Sequence, residues 1–469
     1  MKKKKINLIA LFILISIYPT QIVQGQDWST PVDITDEVTE NVHIHGLAIC
    51  DPYENLHIFW VDRVPGEDGD AIFYRNNIDG VFSPPNDILK VNLFHIFYPD
   101  VTISPKTNTI HLTWVNSDGS LFYSSAPLID AYDAKAWEPP TLIDTDVFDP
   151  AIDIGPDGKI HLIYSKSFDQ ETYFSIIHRI SEDGITWEND STIYSVDFQE
   201  PGFVRLEMAI DGKDRIHVGI TSRSQEYAKI FEVGYIRSID GGSTWDEYIV
   251  IENTSKAFQG TEWIAPYAFG ENEIHLTWHN PERMHKWSSD GGNTWSTAVK
   301  IIELGAAFGG PNTLAKDSSG KIHSITAVLD GVYSSEWNGE KWVNINRIDN
   351  RPIDHHGQQI AICPANEMHT LYYDTLGNGT VWYAKRILDI PISETVRELS
   401  KIPTSTIPII TQATMENSSI QNTTDKTGAS LGIEYEIEGT RISPLNIVFA
   451  SALPVIILII IILIFRSRK

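Results

Sequence analysis

Histidine is the side chain with the most chemistry to offer in this chain, and there are 15 of them. Two clusters stand apart, His43-Ile44-His45 and His355-His356-Gly357. Imidazoles set this closely can ligate a metal when neutral, or bind a phosphorylated or acidic group when protonated. The plainer alternative is that they line a polar channel. Seven further histidines each follow an apolar residue at the head of a strand-like run: Leu56-His57, Ile110-His111, Ile160-His161, Ile216-His217, Ile274-His275, Ile322-His323 and Met368-His369. Seven equivalent positions cannot share one ion, so these are expected to serve packing and hydrogen bonding. Two cysteines, Cys50 and Cys363, end the matching segments Leu47-Ala48-Ile49-Cys50 and Ile360-Ala361-Ile362-Cys363. They are either a disulfide or two buried thiols, and too few for a Cys-rich zinc module. No phosphate-binding glycine loop, nucleophile elbow or HExxH pattern occurs. No cofactor is expected.

The elements that position these residues follow from the repeat. The seven histidines are spaced by 54, 50, 56, 58, 48 and 46 residues. Each unit carries a turn such as Gly155-Pro156-Asp157-Gly158, the His strand, a third alternating strand such as Ala71–Arg75, and a Gly/Trp turn before a fourth strand. Four short antiparallel strands per unit without helical periodicity predict an all-β, seven-bladed propeller, with six blades as the alternative. The seventh unit lacks its fourth strand. Asp27-Trp28-Ser29-Thr30-Pro31-Val32 parallels Trp295-Ser296-Thr297-Ala298-Val299, so residues 27–35 are expected to supply that strand and close the ring. Blades one and seven then adjoin, which brings His43, His45, His355 and His356 to one side and sets Cys50 across the seam from Cys363.

The Trp turns carry a family resemblance. Ser238-Ile-Asp240-Gly-Gly-Ser-Thr244-Trp245 and Ser288-Ser-Asp290-Gly-Gly-Asn-Thr294-Trp295 are complete Asp-box (BNR) repeats, and Ser181-Glu-Asp183-Gly-Ile-Thr186-Trp187 is one residue shorter. Asp accepts backbone N–H groups in the loop, Gly supplies positive φ and Trp covers the blade. The chain thus resembles the Asp-box propellers of the sialidase superfamily, in which these boxes are structural and lie opposite the active site. The resemblance implies arginines for a substrate carboxylate, a Tyr–Glu nucleophile pair and an aspartic acid/base. Carried over, it points to Arg63, Arg223 and Arg283, the last near His279, for ligand binding. Asp70 or Asp68 becomes the acid/base, and Glu207 the partner of the nucleophile. Glu207 sits one residue out of register, a shift that turns a strand side chain to the opposite face. The family's first arginine is replaced by the His43–His45 segment, and its tyrosine by His355-His356.

The ends and composition set the expected location. Lys2–Lys5 precede the apolar run Ile6–Tyr18, so residues 1–25 read as a secretory signal. Residues 26–389 form the propeller, and 390–443 a Ser/Thr/Pro-rich stalk. A transmembrane helix covers 444–465, within which Leu445–Phe465 is uncharged, and 466–469 are a basic cytoplasmic tail. Sequons begin at Asn189, Asn253, Asn378, Asn417 and Asn422. A net charge of −26 excludes general nucleic-acid binding. The expected partners are glycans or cell-surface proteins, met by an extracellular propeller held on one membrane span. A non-catalytic recognition role leads, followed by a glycoside hydrolase with an altered sialidase-like site and by a cell-envelope scaffold.

Overall fold

The structure is a computed structural model. It describes residues 27–35 and 46–391, apart from 65, 67, 79, 93, 169–172, 199–201, 225–230, 254–261, 281, 304–306, 309–312, 329, 352–357 and 375–379. The expected signal segment, stalk and transmembrane span lie outside these residues. So do His43, His45, His355, His356, Asn378, Asn417 and Asn422. No helix among the described residues is long and apolar enough to cross a membrane.

Seven antiparallel sheets account for the strands, and they follow the repeat in sequence order. Blade 2 shows the plan: Ile96–Ser104, Thr109–Asn116, Leu121–Pro127 and Thr141–Asp144, innermost to outermost. Blades 3, 4 and 5 begin with Val147–Ile154, Gly202–Ile210 and Glu262–Ala268. Two blades depart from the plain four-strand grammar. In blade 1 both Val81–Phe82 and Asn86–Asn92 pair with the third strand, Gly69–Ile78. In blade 6 the innermost strand is split into Ala307–Phe308 and Leu314–Lys316.

Ring closure combines the two ends of the propeller. Val32–Asp33 pairs antiparallel with Thr380–Ile387 of blade 7, with Val32 opposite Tyr383. The Trp28 indole N–H donates to Ser334 Oγ of blade 6 at 3.0 Å. Cys50 and Cys363 are disulfide-bonded across the seam, with Cα atoms 5.2 Å apart and a sequence separation of 313.

The repeated histidines form a buried relay from blade to blade. His217 Nε2 lies 3.1 Å from Asp211 Oδ2, while its Nδ1 lies 2.6 Å from the Tyr235 hydroxyl. Because a carboxylate only accepts, Nε2 carries the proton and Nδ1 accepts from Tyr235. The Asp-box Trp295 of the next blade then packs edge-on against Tyr235, ring centroids 5.1 Å apart. Blade 1 repeats the carboxylate–imidazole–phenol chain as Asp51–His57–Tyr74. In blade 3 the phenol is replaced by His178, which packs against Trp245 of blade 4. The histidines are therefore structural, as their periodicity implied. Burial pushes His111 and His161 down to about 4 and so holds them neutral.

Each Asp box is closed by its own side chains. Asp290 accepts from the Thr294 backbone N–H at 2.8 Å and from its hydroxyl at 2.7 Å, and Ser288 Oγ accepts from Gly292 N. Asp240 and Thr244 repeat this geometry. Asp183 accepts from the Ile185 and Thr186 amides in the shorter box that ends in Trp187.

Candidate functional site

The innermost strands surround a central channel. A cavity of about 360 Å³ within it is lined from blades 1, 2, 3, 4, 5 and 7, including Cys50, Asp100, Asp153, Glu207, Tyr267 and Gln359. Innermost strands leave backbone N–H groups without a ladder partner, and here carboxylates of the preceding blade accept them. Asp100 Oδ2 accepts from Ile152 N at 2.8 Å, Asp149 Oδ2 from Leu206 N at 3.3 Å and Asp153 Oδ2 from Ile210 N at 2.8 Å. These bonds favour the ionised form, but burial outweighs them. Asp100 is pushed up to about 7, and Asp149 and Asp153 to about 6. Glu207 is raised well above the usual range, by burial first and then by the nearby Asp100 and Asp149 charges.

Where the first strands begin, three blades break their ladders in the same way. Tyr98, Asp149 and Trp263 have φ of 48°, 46° and 57°, and each sits within a register shift of its strand. A bulge of this kind re-aims one side chain, and positive φ in residues other than glycine is costly. The residues so turned meet Arg205 of blade 4. Its guanidinium carbon lies 3.8 Å from the Trp263 ring centroid and 5.4 Å from that of Tyr98. The Arg205 charge also draws Asp149 down against its burial. The result is a flat cation over two aromatic rings beside a carboxyl group pushed up to about 6.

The residues expected from the sialidase resemblance are distributed differently. Asp70 is 3% exposed, and its Oδ2 accepts from Ile96 N at 3.0 Å, which ties blade 1 to the start of blade 2. Arg63 is its cross-strand partner and half-buried, and Asp68 is exposed in the hairpin between them. Arg223 is half-buried in the second strand of blade 4, and His279 is half-buried opposite Arg283 in blade 5. Arg283 is wholly buried, donating from Nη2 to Thr277 Oγ1 at 2.8 Å and Thr313 Oγ1 at 3.0 Å. It has no surface to offer a ligand, although its charge reaches Glu207. The three arginines thus stand on blades 1, 4 and 5. The blade 4 strand that carries Glu207 runs without a bulge opposite Ile216–Ser224, and Glu207 is among the residues lining the channel cavity. Asn253 is exposed, with its side-chain amide donating to Glu232 Oε2 at 3.1 Å.

Sequence reasoning missed Tyr98, Asp149, Arg205 and Trp263. A signal was present, because each stands 12 or 13 residues before the repeated histidine of its blade. The pairs Tyr98-Pro99 and Asp149-Pro150 also place prolines on an inner edge, where no ladder N–H is needed. The same count back from His57 and His369 reaches His45 and His356.

The BNR repeat-like domain family matches residues 126–352, the stretch that holds all three Asp boxes. This match and the seven-bladed arrangement are consistent with a sialidase-like BNR-repeat propeller. No curated protein sequence matches it. Among solved structures, a protein of unknown function from Dyadobacter fermentans DSM 18053 is similar over 78% of this chain and 100% of its own, at 13% identity and a TM-score of 0.50. That likeness is one of fold. The polysaccharide lyase Uly1 gives 11% identity and a TM-score of 0.47 over 79% of this chain and 94% of its own. An α-L-arabinanase of Penicillium chrysogenum gives 14% and 0.43 over 62% and 92%.

Proposed function

We propose that the protein is a glycan-recognition propeller, non-catalytic, which binds saccharide chains of surface glycoconjugates at the mouth of its channel. The observation that carries this reading is the convergence of Tyr98, Asp149 and Trp263 on Arg205. Three aligned backbone distortions from three blades persist only where the surrounding fold enforces them, and such distortions concentrate at ligand sites. A guanidinium stacked between aromatic rings is pre-organised for hydroxyl and carboxylate oxygens. The basic and apolar N-terminus and the uncharged 444–465 segment support an extracellular propeller carried on one membrane span. Binding of the purified chain to an immobilised panel of neutral and uronate-bearing oligosaccharides tests the reading. Selective binding lost in Trp263→Ala is the expected result; no binding to any saccharide overturns it.

One observation favours a second reading, a glycoside-cleaving enzyme. Burial and the nearby Asp100 and Asp149 charges raise the Glu207 carboxyl well above the usual range, and it lines the channel cavity, as suits a general acid. Release of new reducing ends, abolished by Glu207→Gln, would establish it in place of the non-catalytic role.

A further inference from the structure

We infer that the seam of the ring, once its disulfide is opened, is a Cys2His site for a thiophilic metal ion such as Zn2+. The sulfurs of Cys50 and Cys363 and a ring nitrogen of His369 all lie within 4.8 Å of one another. Ligands gathered round a tetrahedral zinc, with bonds of about 2.0–2.3 Å, stand roughly 3.5–3.8 Å apart, so small side-chain shifts suffice. His369 is 1% exposed, and the Tyr383 hydroxyl holds its Nδ1 at 2.8 Å. Its Nε2 makes no hydrogen bond. Metal-bound imidazoles are positioned in this way, with one nitrogen fixed by a neighbour and the other left for the ion. Glu367 Oε2 is 3.8 Å from Nε2 and stands ready as a fourth ligand. Cys50 lines the channel cavity, which gives reductant and ion a route to the sulfurs.

The chemistry balances with a phosphine as reductant. The S–S bond breaks, the phosphine takes an oxygen from water to become its oxide, and the two sulfurs gain two electrons and two protons as thiols. A bound ion then displaces those protons, because only the thiolates ligate. Blades 1 and 7 are then clasped by a disulfide in an oxidising compartment and by a metal in a reducing one. This inference does not depend on the glycan reading.

Cobalt titration of the full chain, oxidised and phosphine-reduced, is the test. The reduced chain is expected to bind one Co2+ with intense thiolate-to-cobalt charge-transfer absorption, and Zn2+ should bleach it. The oxidised chain should show none, and His369→Gln should weaken Co2+ binding about tenfold or more. Absence of the band in the reduced chain, or undiminished affinity in the folded His369→Gln variant, overturns the inference. Should that variant fail to fold, Cys50→Ser decides: retention of the full band there overturns it equally.

Discussion

The guanidinium of Arg205 lies 3.8 Å over the ring of Trp263, although the two residues belong to different blades and are 58 positions apart. The contact joins the innermost strands of the neighbouring blades 4 and 5, at a point where Trp263 has positive φ. Arg205→Lys keeps the charge but loses the planar stack, worth about 0.5–2 kcal/mol. Saccharide affinity is expected to fall about 2- to 30-fold, with the melting temperature little changed. Isothermal titration of the two proteins checks this, and equal affinities would remove Arg205 from the site.

Stability should fall as the pH drops from 7 to 5. Eight histidines are depressed by burial: His111, His161, His178, His217, His275, His285, His323 and His369. Uncharged when folded, they take up protons on unfolding below about 6.5, so their contribution is lost as pH falls through that value. Asp100, Asp149, Asp153 and Glu207 act in the opposite direction. Asp100, Asp149 and Asp153 are raised to about 6 to 7 and Glu207 is raised as well, so their protonated forms favour folding at low pH and that help is lost as pH rises. The histidines outnumber them, and the net loss is on the acid side. A melting-temperature series should show a drop of several degrees between pH 7 and 5. Asp100→Asn should stabilise the protein at pH 8 more than at pH 5, and a flat series contradicts the account.

Gly292 tests the packing of an Asp box. Its φ is +86°, and an added Cβ would lie 2.5 Å from the Tyr235 hydroxyl oxygen. Gly241 has a φ of +66° but open space around it. Gly292→Ala is therefore expected to cost more than about 1 kcal/mol, and Gly241→Ala less, by chemical denaturation. Neither change should alter saccharide binding, because the boxes lie on the opposite face.

Opening the ring should be costly. Replacing both Cys50 and Cys363 by serine removes a link closing a very long loop, worth about 2–5 kcal/mol. Deleting residues 27–35 bares the outer edge of blade 7 and removes the Trp28–Ser334 bond. Each variant should unfold at lower denaturant concentration than the parent. A midpoint unchanged by the deletion would show that the N-terminal strand is dispensable to closure.

Much of the fold was legible in the sequence because it is periodic. A histidine every 46 to 58 residues, Asp-box turns and a stray Trp-Ser-Thr strand at the N-terminus suffice to count blades and close the ring. Each depends on local chemistry: a carboxylate closing a loop, a glycine at positive φ, an apolar strand. The placement of the site was decided by tertiary structure. Arg63, Arg223 and Arg283 are alike as letters, yet one stands across a hairpin from Asp70 and one is sealed in the wall by Thr277 and Thr313. Glue between blades and ligand groups use the same residue types: Asp70 and Asp149 are both buried, and only their partners, Ile96 N for one and the Arg205 charge for the other, tell them apart. Tyr98, Arg205 and Trp263 come together because bulges on separate strands turn them inward, and a bulge has no period for a sequence to display. The sequence determined that a ring of seven blades forms. Which side chains that ring aims at its axis was decided by the packing of each innermost strand against the next.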